Sequence, residues 1–87
     1  QSRLTMTGVL HPLSALPAGA CATVSELRLA QPGRARLMEL GLLPGTPVEL
    51  IRFALLGDPL EVKVRGYHLT LPRHEAEQIW VRLADAN

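Results

Sequence analysis

Apolar and polar residues alternate most clearly over residues 60–65, where Leu60, Val62 and Val64 are separated by charged residues. Successive side chains of a β-strand point to opposite faces, so this period of two predicts a strand with its apolar side turned inward. Similar patterns between turn residues predict four more strands. These strands cover residues 20–29, 47–54, 67–71 and 79–83.

One segment has helical spacing instead. Over residues 33–40, Leu37 and Leu40 fall on the same face of a helix, which is typical of a short helix packed on a core. A glycine directly after a helix often adopts the left-handed conformation that ends it, so Gly41 is expected at the C′ position. A further helical turn is predicted at residues 73–78.

The turns indicate the architecture. Seven glycines and seven prolines punctuate the 87 residues, which favours several brief strands joined by tight turns. Closure into a barrel would hide sheet edges that so short a chain could not otherwise cover. We therefore predict a mainly β, SH3-like barrel of about five strands, with one short helix inserted between the first two strands. An OB-fold is the alternative architecture.

The domain boundaries follow from these elements. We expect a single domain, because chains of this length rarely hold two cores. Residues 13–83 are assigned to the barrel, residues 1–12 to an N-terminal extension with Met6 as an alternative start, and residues 84–87 to a C-terminal tail.

The composition excludes several classes of protein. A net charge of +1 lacks the basic footprint of a nucleic-acid-binding protein, and neither common phosphate-binding loop occurs, so no nucleotide site of those kinds is expected. No apolar stretch approaches the roughly 20 residues that cross a bilayer. Together with the single cysteine, Cys21, this favours the cytoplasm.

The chemistry-bearing residues give a weak pattern. No catalytic residue is predicted, since no nucleophile motif occurs, and no cofactor is required. His74 and Glu77 are three residues apart on a predicted helical turn, and His68 faces outward from a neighbouring strand. A closed zinc site needs four ligands, which one chain does not spell out. The alternatives are solvated surface histidines, or a surface site for Fe²⁺ or Zn²⁺ at these three residues that bridges two chains.

Leucines in connecting segments suggest a docking surface. Leu42–Leu43 and Leu55–Leu56 fall in predicted turns, where polar residues would cost less to expose. They either cover the ends of the barrel or bind a partner. The predicted docking surface comprises Arg36, Met38, Leu42, Leu43, Leu55 and Leu56. Arg36 is also expected to pair with Glu39 at helical spacing.

The segment from Leu37 to Val48, Leu-Met-Glu-Leu-Gly-Leu-Leu-Pro-Gly-Thr-Pro-Val, resembles a signature of the FeoA family. The resemblance continues through residues 56–60 and 64–71 and covers about residues 13 to 83. It implies an SH3-like barrel that acts as a small, non-enzymatic cytoplasmic component of bacterial ferrous-iron uptake. The implied partner is FeoB, a membrane permease with a GTP-binding domain, which the protein would bind and modulate at the inner membrane without inserting into it.

Two other functions remain open. The first is a metal-responsive module, in which iron or zinc bound through His68 or His74 changes the association state, for example through a metal-bridged homodimer. The second comes from the fold, which also resembles the C-terminal domain of DtxR-type metal-dependent repressors. The chain would then be a detached domain of such a repressor.

Overall fold

The computed structural model describes residues 9–83, which form six short strands with short helices between some of them. The strands are β1 (Leu10–Pro12), β2 (Cys21–Leu27), β3 (Pro47–Phe53), β4 (Leu60–Val64), β5 (Tyr67–Leu71) and β6 (Ile79–Leu83). The α-helices are α1 (Gly33–Glu39) and α2 (Arg73–Ala76), and 3₁₀ turns cover Leu13–Ala15 and Leu55–Gly57. None of the helices in this part of the chain has the length and apolar character needed to cross a membrane.

The strands form one antiparallel sheet in the order β1-β6-β2-β3-β4-β5. β3, β4 and β5 form a meander, with Val62 of β4 opposite Leu50 on one side and Leu69 on the other. β1 and β5 are the edge strands and do not pair with each other. The mainly β prediction is therefore confirmed, although the sheet is not closed by hydrogen bonds into a complete barrel.

β1 is the strand that the sequence patterns did not predict, and it raises the number of strands from about five to six. It pairs with residues 80–82 of β6. Three residues are too few to show alternation, and Pro12 argues against a strand anywhere but at a sheet edge, which is where β1 lies. Residues 10–12 thus belong to the sheet and not to an extension. The rest of the predicted extension up to residue 8, and the tail at residues 84–87, lie outside the described residues.

The core is aliphatic. β4 contributes Leu60, Val62 and Val64, each 0% exposed, while the charged residues between them face outward as the alternation predicts. The other strands and α1 add Val24, Leu37, Val48, Leu50, Leu71, Ile79 and Val81. Leu40, which the helical spacing places on the core face, is only half-buried, and so is Leu69 of β5; both pack against the margin of the core.

α1 ends at the glycine that the sequence predicts. Gly41 has a φ of +105°, and its amide donates a hydrogen bond to the Met38 carbonyl at 3.0 Å. The amide of Leu42 donates to the Leu37 carbonyl, also at 3.0 Å. These two bonds make a Schellman motif, in which the residue after the glycine commonly packs against the last turn of the helix. Leu42 is accordingly a core residue, 0% exposed like Leu37.

Tyr67 connects β5 to the end of α1. Its hydroxyl donates a hydrogen bond to the carbonyl of Leu40, the C-cap residue, which would otherwise lack an intrahelical partner. A Cβ atom at Gly41 would lie 2.8 Å from that hydroxyl. Glycine is therefore needed at this position both for the backbone conformation and for the close approach of the tyrosine.

The burial of Leu42 leads to a prediction about two adjacent leucines. Leu42→Ala should lower the free energy of unfolding by about 2 to 5 kcal/mol, because it removes buried methyl groups and leaves a cavity. Leu43→Ala, at a neighbour that is 36% exposed, should change it by about 1 kcal/mol or less. Urea unfolding of both variants measures the difference. Equal losses would contradict the assignment of Leu42 to the core.

Candidate docking surface

The turn between β3 and β4 carries the two most exposed large apolar residues of the described chain. Leu55 is 88% exposed and Leu56 is 95% exposed. The next most exposed aliphatic residue, Val9, is 45% exposed. We call residues Leu55–Gly57 the tip. The tip therefore exposes to solvent two leucine side chains that are not part of the core.

Leu56 has an unusual backbone conformation. Its φ of 67° and ψ of 14° lie in the left-handed region, which costs a residue other than glycine on the order of 1 kcal/mol. Two backbone hydrogen bonds close the turn around it. The Gly57 amide donates to the Ala54 carbonyl at 2.8 Å, and the Ala54 amide donates to the Pro59 carbonyl at 2.9 Å. The contacts of the turn thus hold a leucine in a conformation that favours glycine.

Two hydrogen bonds connect the tip and the residue after it to α2. Nη1 of Arg73 donates to the Gly57 carbonyl at 3.0 Å, and the Arg73 amide donates to Oδ1 of Asp58 at 2.9 Å. The Arg73 guanidinium also lies 5.9 Å from the centre of the Phe53 ring, and its Nε lies 3.6 Å from Oε2 of Glu77. We call Asp58 and Arg73 the brace, since together they connect the tip to α2.

A groove of about 450 Å³ lies beside the tip. Its lining is formed by Arg52, Phe53, Ala54, Leu55, Pro59, Leu60, Glu61 and Thr70. Most of these residues are apolar, and the polar ones are outward-facing positions of β3, β4 and β5. A groove of this size and character can take an apolar side chain, either from another molecule or from the tip itself.

The charges at the polar side of the groove are paired within the chain. Nε of Arg52 lies 2.7 Å from Oε1 of Glu61, and Nδ1 of His68 lies 3.1 Å from Oε2 of the same carboxylate. The hydrogen bond from Arg52, with the charges of Arg52 and His68, outweighs desolvation and holds the pKa of Glu61 below its usual range. The carboxylate therefore favours its ionised form beside the Arg52 guanidinium.

The structure places the predicted docking residues in different settings. Leu55 and Leu56 belong to the tip and are exposed. Leu43 is 36% exposed, and Met38 is half-buried against the core. The assignment of Leu42 to a surface is wrong, because the Schellman motif turns its side chain into the core. The position of Gly41 at C′ was the sequence signal that could have revealed this.

Arg36, the remaining predicted docking residue, is joined to α2 instead of to its own helix. Its Nη2 pairs with Oε2 of Glu75, so the predicted pair with Glu39 is wrong. The Glu75 side chain is only 13% exposed, which makes it the less screened partner. Its Oε1 has no hydrogen-bond partner within the described chain. Arg36 thus contributes to the packing of the two helices.

The three predicted metal ligands are not gathered into one site. His68 lies on β5 and pairs with Glu61, His74 is an exposed residue of α2, and Glu77 lies beside Arg73 at the end of that helix. Over residues 9–83, no group of three or more His, Cys, Asp and Glu residues could hold a metal ion. A metal site within one chain does not fit these residues. A site shared between two chains stays a prediction.

Asp58 and Arg73 are candidate functional residues that the sequence patterns missed. Asp58 follows the predicted turn at Leu55–Leu56, and Arg73 is the first residue of the helical turn predicted at residues 73–78, but the sequence patterns assign a function to neither. The two are 15 residues apart in the chain, and neither belongs to a periodic pattern. The only local signal was the preference of aspartate for positions before a helix, which does not indicate a helix so far away.

Comparison with known proteins identifies one family. A family model described as the FeoA domain matches residues 11–83. The structure is similar to the FeoA protein of Chlorobium tepidum, with 43% identity, a TM-score of 0.82, and coverage of 87% of this chain and 72% of that chain. It is also similar to FeoA of Stenotrophomonas maltophilia, described as an SH3 domain protein complexed with zinc, with 32% identity, a TM-score of 0.68, and coverage of 79% and 86%. The predicted SH3-like fold class is confirmed.

A manganese-dependent transcriptional repressor has a similar fold. The identity is 20% and the TM-score 0.76, and the match covers 86% of this chain but 42% of the repressor. At this identity the likeness concerns the fold alone.

The depressed pKa of Glu61 predicts a pH-dependent contribution to stability. Since the folded-state pKa lies below the ordinary value of 4.5, the ion pairs of Glu61 stabilise the fold above that pH, and this contribution is lost as the pH falls through the folded-state pKa. Glu61→Gln should therefore lower the melting temperature at neutral pH, and its difference from the parent should shrink at about pH 3.

Glu49→Gln is the matched control, because Glu49 lies on the adjacent strand and makes no ion pair with the described residues. A Glu61→Gln difference that is the same at both pH values would contradict the assignment.

Proposed function

Because the chain belongs to the FeoA family, we propose that it is a non-enzymatic module of bacterial ferrous-iron uptake that binds the cytoplasmic portion of FeoB and modulates that permease. It would act in the cytoplasm and be recruited to the inner membrane through FeoB. The S. maltophilia relative is described as a candidate activating factor of ferrous iron transport, which supports a role of this kind.

The exposed tip is the observation that carries the docking proposal. Leu55 and Leu56 are exposed beside an apolar groove, and small folded domains rarely leave such residues together without a use. Binding would remove both side chains from water, which favours association. A few well-packed residues supply most of the affinity of many interfaces, and the two tip leucines are the candidates for that role here.

The charges around the tip support an apolar partner surface. Arg52 is paired with Glu61 and Arg73 with Glu77, and the Asp58 carboxylate accepts the Arg73 amide, so most of the charged groups there already have partners within the chain. The proposed complement on FeoB is a pocket or groove that accepts two leucine side chains. Affinity for such a partner depends only weakly on salt concentration, in contrast to an electrostatically steered complex.

The alternative of a detached repressor domain is supported only by the shared fold. A gene for FeoB next to the gene for this chain would favour the transport proposal, whereas a neighbouring gene for a DNA-binding protein would favour the repressor alternative.

Substitution of the tip leucines tests the docking surface. Leu55→Ala and Leu56→Ala should each weaken binding to the cytoplasmic portion of FeoB by about thirtyfold, the loss expected when an interface anchor is truncated. Isothermal titration at low and at high salt measures both the affinity and its salt dependence. Val9→Ala is the control, since Val9 is an exposed aliphatic residue next to β1, at the edge of the sheet opposite β5.

Parent-like affinity of both leucine variants would move the proposed interface to another face, of which outward residues such as Lys63 and His68 are the next candidates. A loss of thermal stability that matches the loss of binding would show instead that the leucines support the fold.

The predicted metal site is proposed as a bridge between two chains. Residues 9–83 of one chain offer too few convergent ligands for tight binding, and ligands from a second chain would complete the coordination. Zinc should then shift the chain from monomer to dimer in sedimentation velocity, and His68→Ala and His74→Ala should reduce the shift. His11→Ala is the matched control on β1. Tight one-to-one binding of zinc by a stable monomer would contradict the proposal.

A further inference from the structure

Two exposed leucines beside an apolar groove need something to hold them outward, because burial of apolar side chains is favourable. Leu55 already lines one wall of the groove. Leu56 is the next residue along the chain, and Phe53 offers an apolar surface within the same groove. A turn that was free to rearrange would bury leucine surface there and remove it from the reach of a partner.

The brace opposes such a rearrangement. Arg73 holds the Gly57 carbonyl through Nη1 at 3.0 Å and holds the Asp58 carboxylate through its amide at 2.9 Å. The first of these acceptors belongs to the residue directly after Leu56 and the second to the residue after that. The brace therefore restricts the part of the turn that must move if Leu56 is to leave its left-handed conformation.

The fit between Arg73 and Gly57 is close as well as hydrogen-bonded. A Cβ atom at Gly57 would lie 3.2 Å from Nη1 of Arg73, and the glycine has a φ of +80°. Arg73 is in turn placed by Glu77, at 3.6 Å from its Nε, and by the Phe53 ring. The Arg73 side chain is thus held on one side by Gly57 and on the other by Glu77 and Phe53.

We propose that Asp58 and Arg73 are positioning residues that hold the tip in its outward form and so set its affinity for the partner. The proposal rests on the proposed function, in which the tip docks on FeoB. A surface already held in its bound conformation loses less conformational entropy on binding. Without the brace the tip would adopt several conformations. The apparent affinity for FeoB would then fall in proportion to the fraction of molecules whose tip is still in the outward form.

The first experiment measures the tip in the free, full-length chain. Backbone amide exchange is followed at Gly57, whose amide donates to the Ala54 carbonyl. Exchange should become faster in Arg73→Ala and in Asp58→Ala. Asp58→Asn should remain close to the parent, because its carboxamide oxygen can still accept the Arg73 amide. Glu49→Gln is the control, because it removes a charge from β3 at a residue that makes no ion pair with the described residues.

The second experiment measures binding to the cytoplasmic portion of FeoB. If the outward form falls to about one tenth of the molecules, Arg73→Ala and Asp58→Ala should weaken binding about tenfold. Asp58→Asn should restore the affinity. In a Leu56→Ala background the effect of Arg73→Ala should be much smaller, because the side chain that the brace positions is then absent.

The outcomes separate the brace from the docking surface. If amide exchange at Gly57 is unchanged in both Arg73→Ala and Asp58→Ala, the proposal that the brace holds the tip is wrong. Faster exchange with unchanged affinity would overturn its role in binding. Failure of the docking surface itself appears in a different measurement, as parent-like affinity of Leu56→Ala. If Arg73→Ala does not fold, Asp58→Ala decides between the same outcomes.

Discussion

The structure depends on the removal of aliphatic side chains from water. The chain has one Phe, one Tyr and one Trp, and none of the three is fully buried, so leucine and valine must fill the core. They come from β2 to β6 and from α1. Even the turn that ends α1 contributes a leucine, because Gly41 brings Leu42 into the core beside Leu37. Few leucines of the described residues are therefore exposed, and the two most exposed, Leu55 and Leu56, form the proposed docking surface.

The tip joins two strands that are themselves part of the core. β3 and β4, which lead into and out of it, also supply Leu50 and Val62 to the core. Exposed leucines are costly to a free protein in solution, and a left-handed leucine adds local strain. Both costs are localised in a turn of three residues whose ends are fixed by the sheet and by the brace. A rigid scaffold of this kind can present an apolar surface without weakening the fold that supports it.

Charged residues have a different role in this domain. The ion pair of Arg36 with Glu75 and the hydrogen bond from the Arg73 backbone amide to the Asp58 carboxylate connect elements that are distant in the sequence. Exposed ion pairs add little to stability, but these contacts restrict geometry, which is what a docking turn requires. Within the described part of the chain the histidines belong to no group of three or more potential metal ligands. A metal bridge would therefore need a second chain, and the apolar tip offers the more complete site in one molecule.

The sequence by itself determined the mainly β class, the five longer strands, the position of α1 and the turn at Gly41, because these features depend on periodicity and on conformational preferences of neighbouring residues. It also indicated the FeoA family through the ordered motifs between Leu37 and Leu71. Only the tertiary structure decided that β1 joins the sheet, that Leu42 is buried, and that Asp58 meets Arg73. The physical reason is that spacing along the chain defines the face of an element on which a residue lies, whereas the identity of the element that packs against that face depends on how the whole core closes.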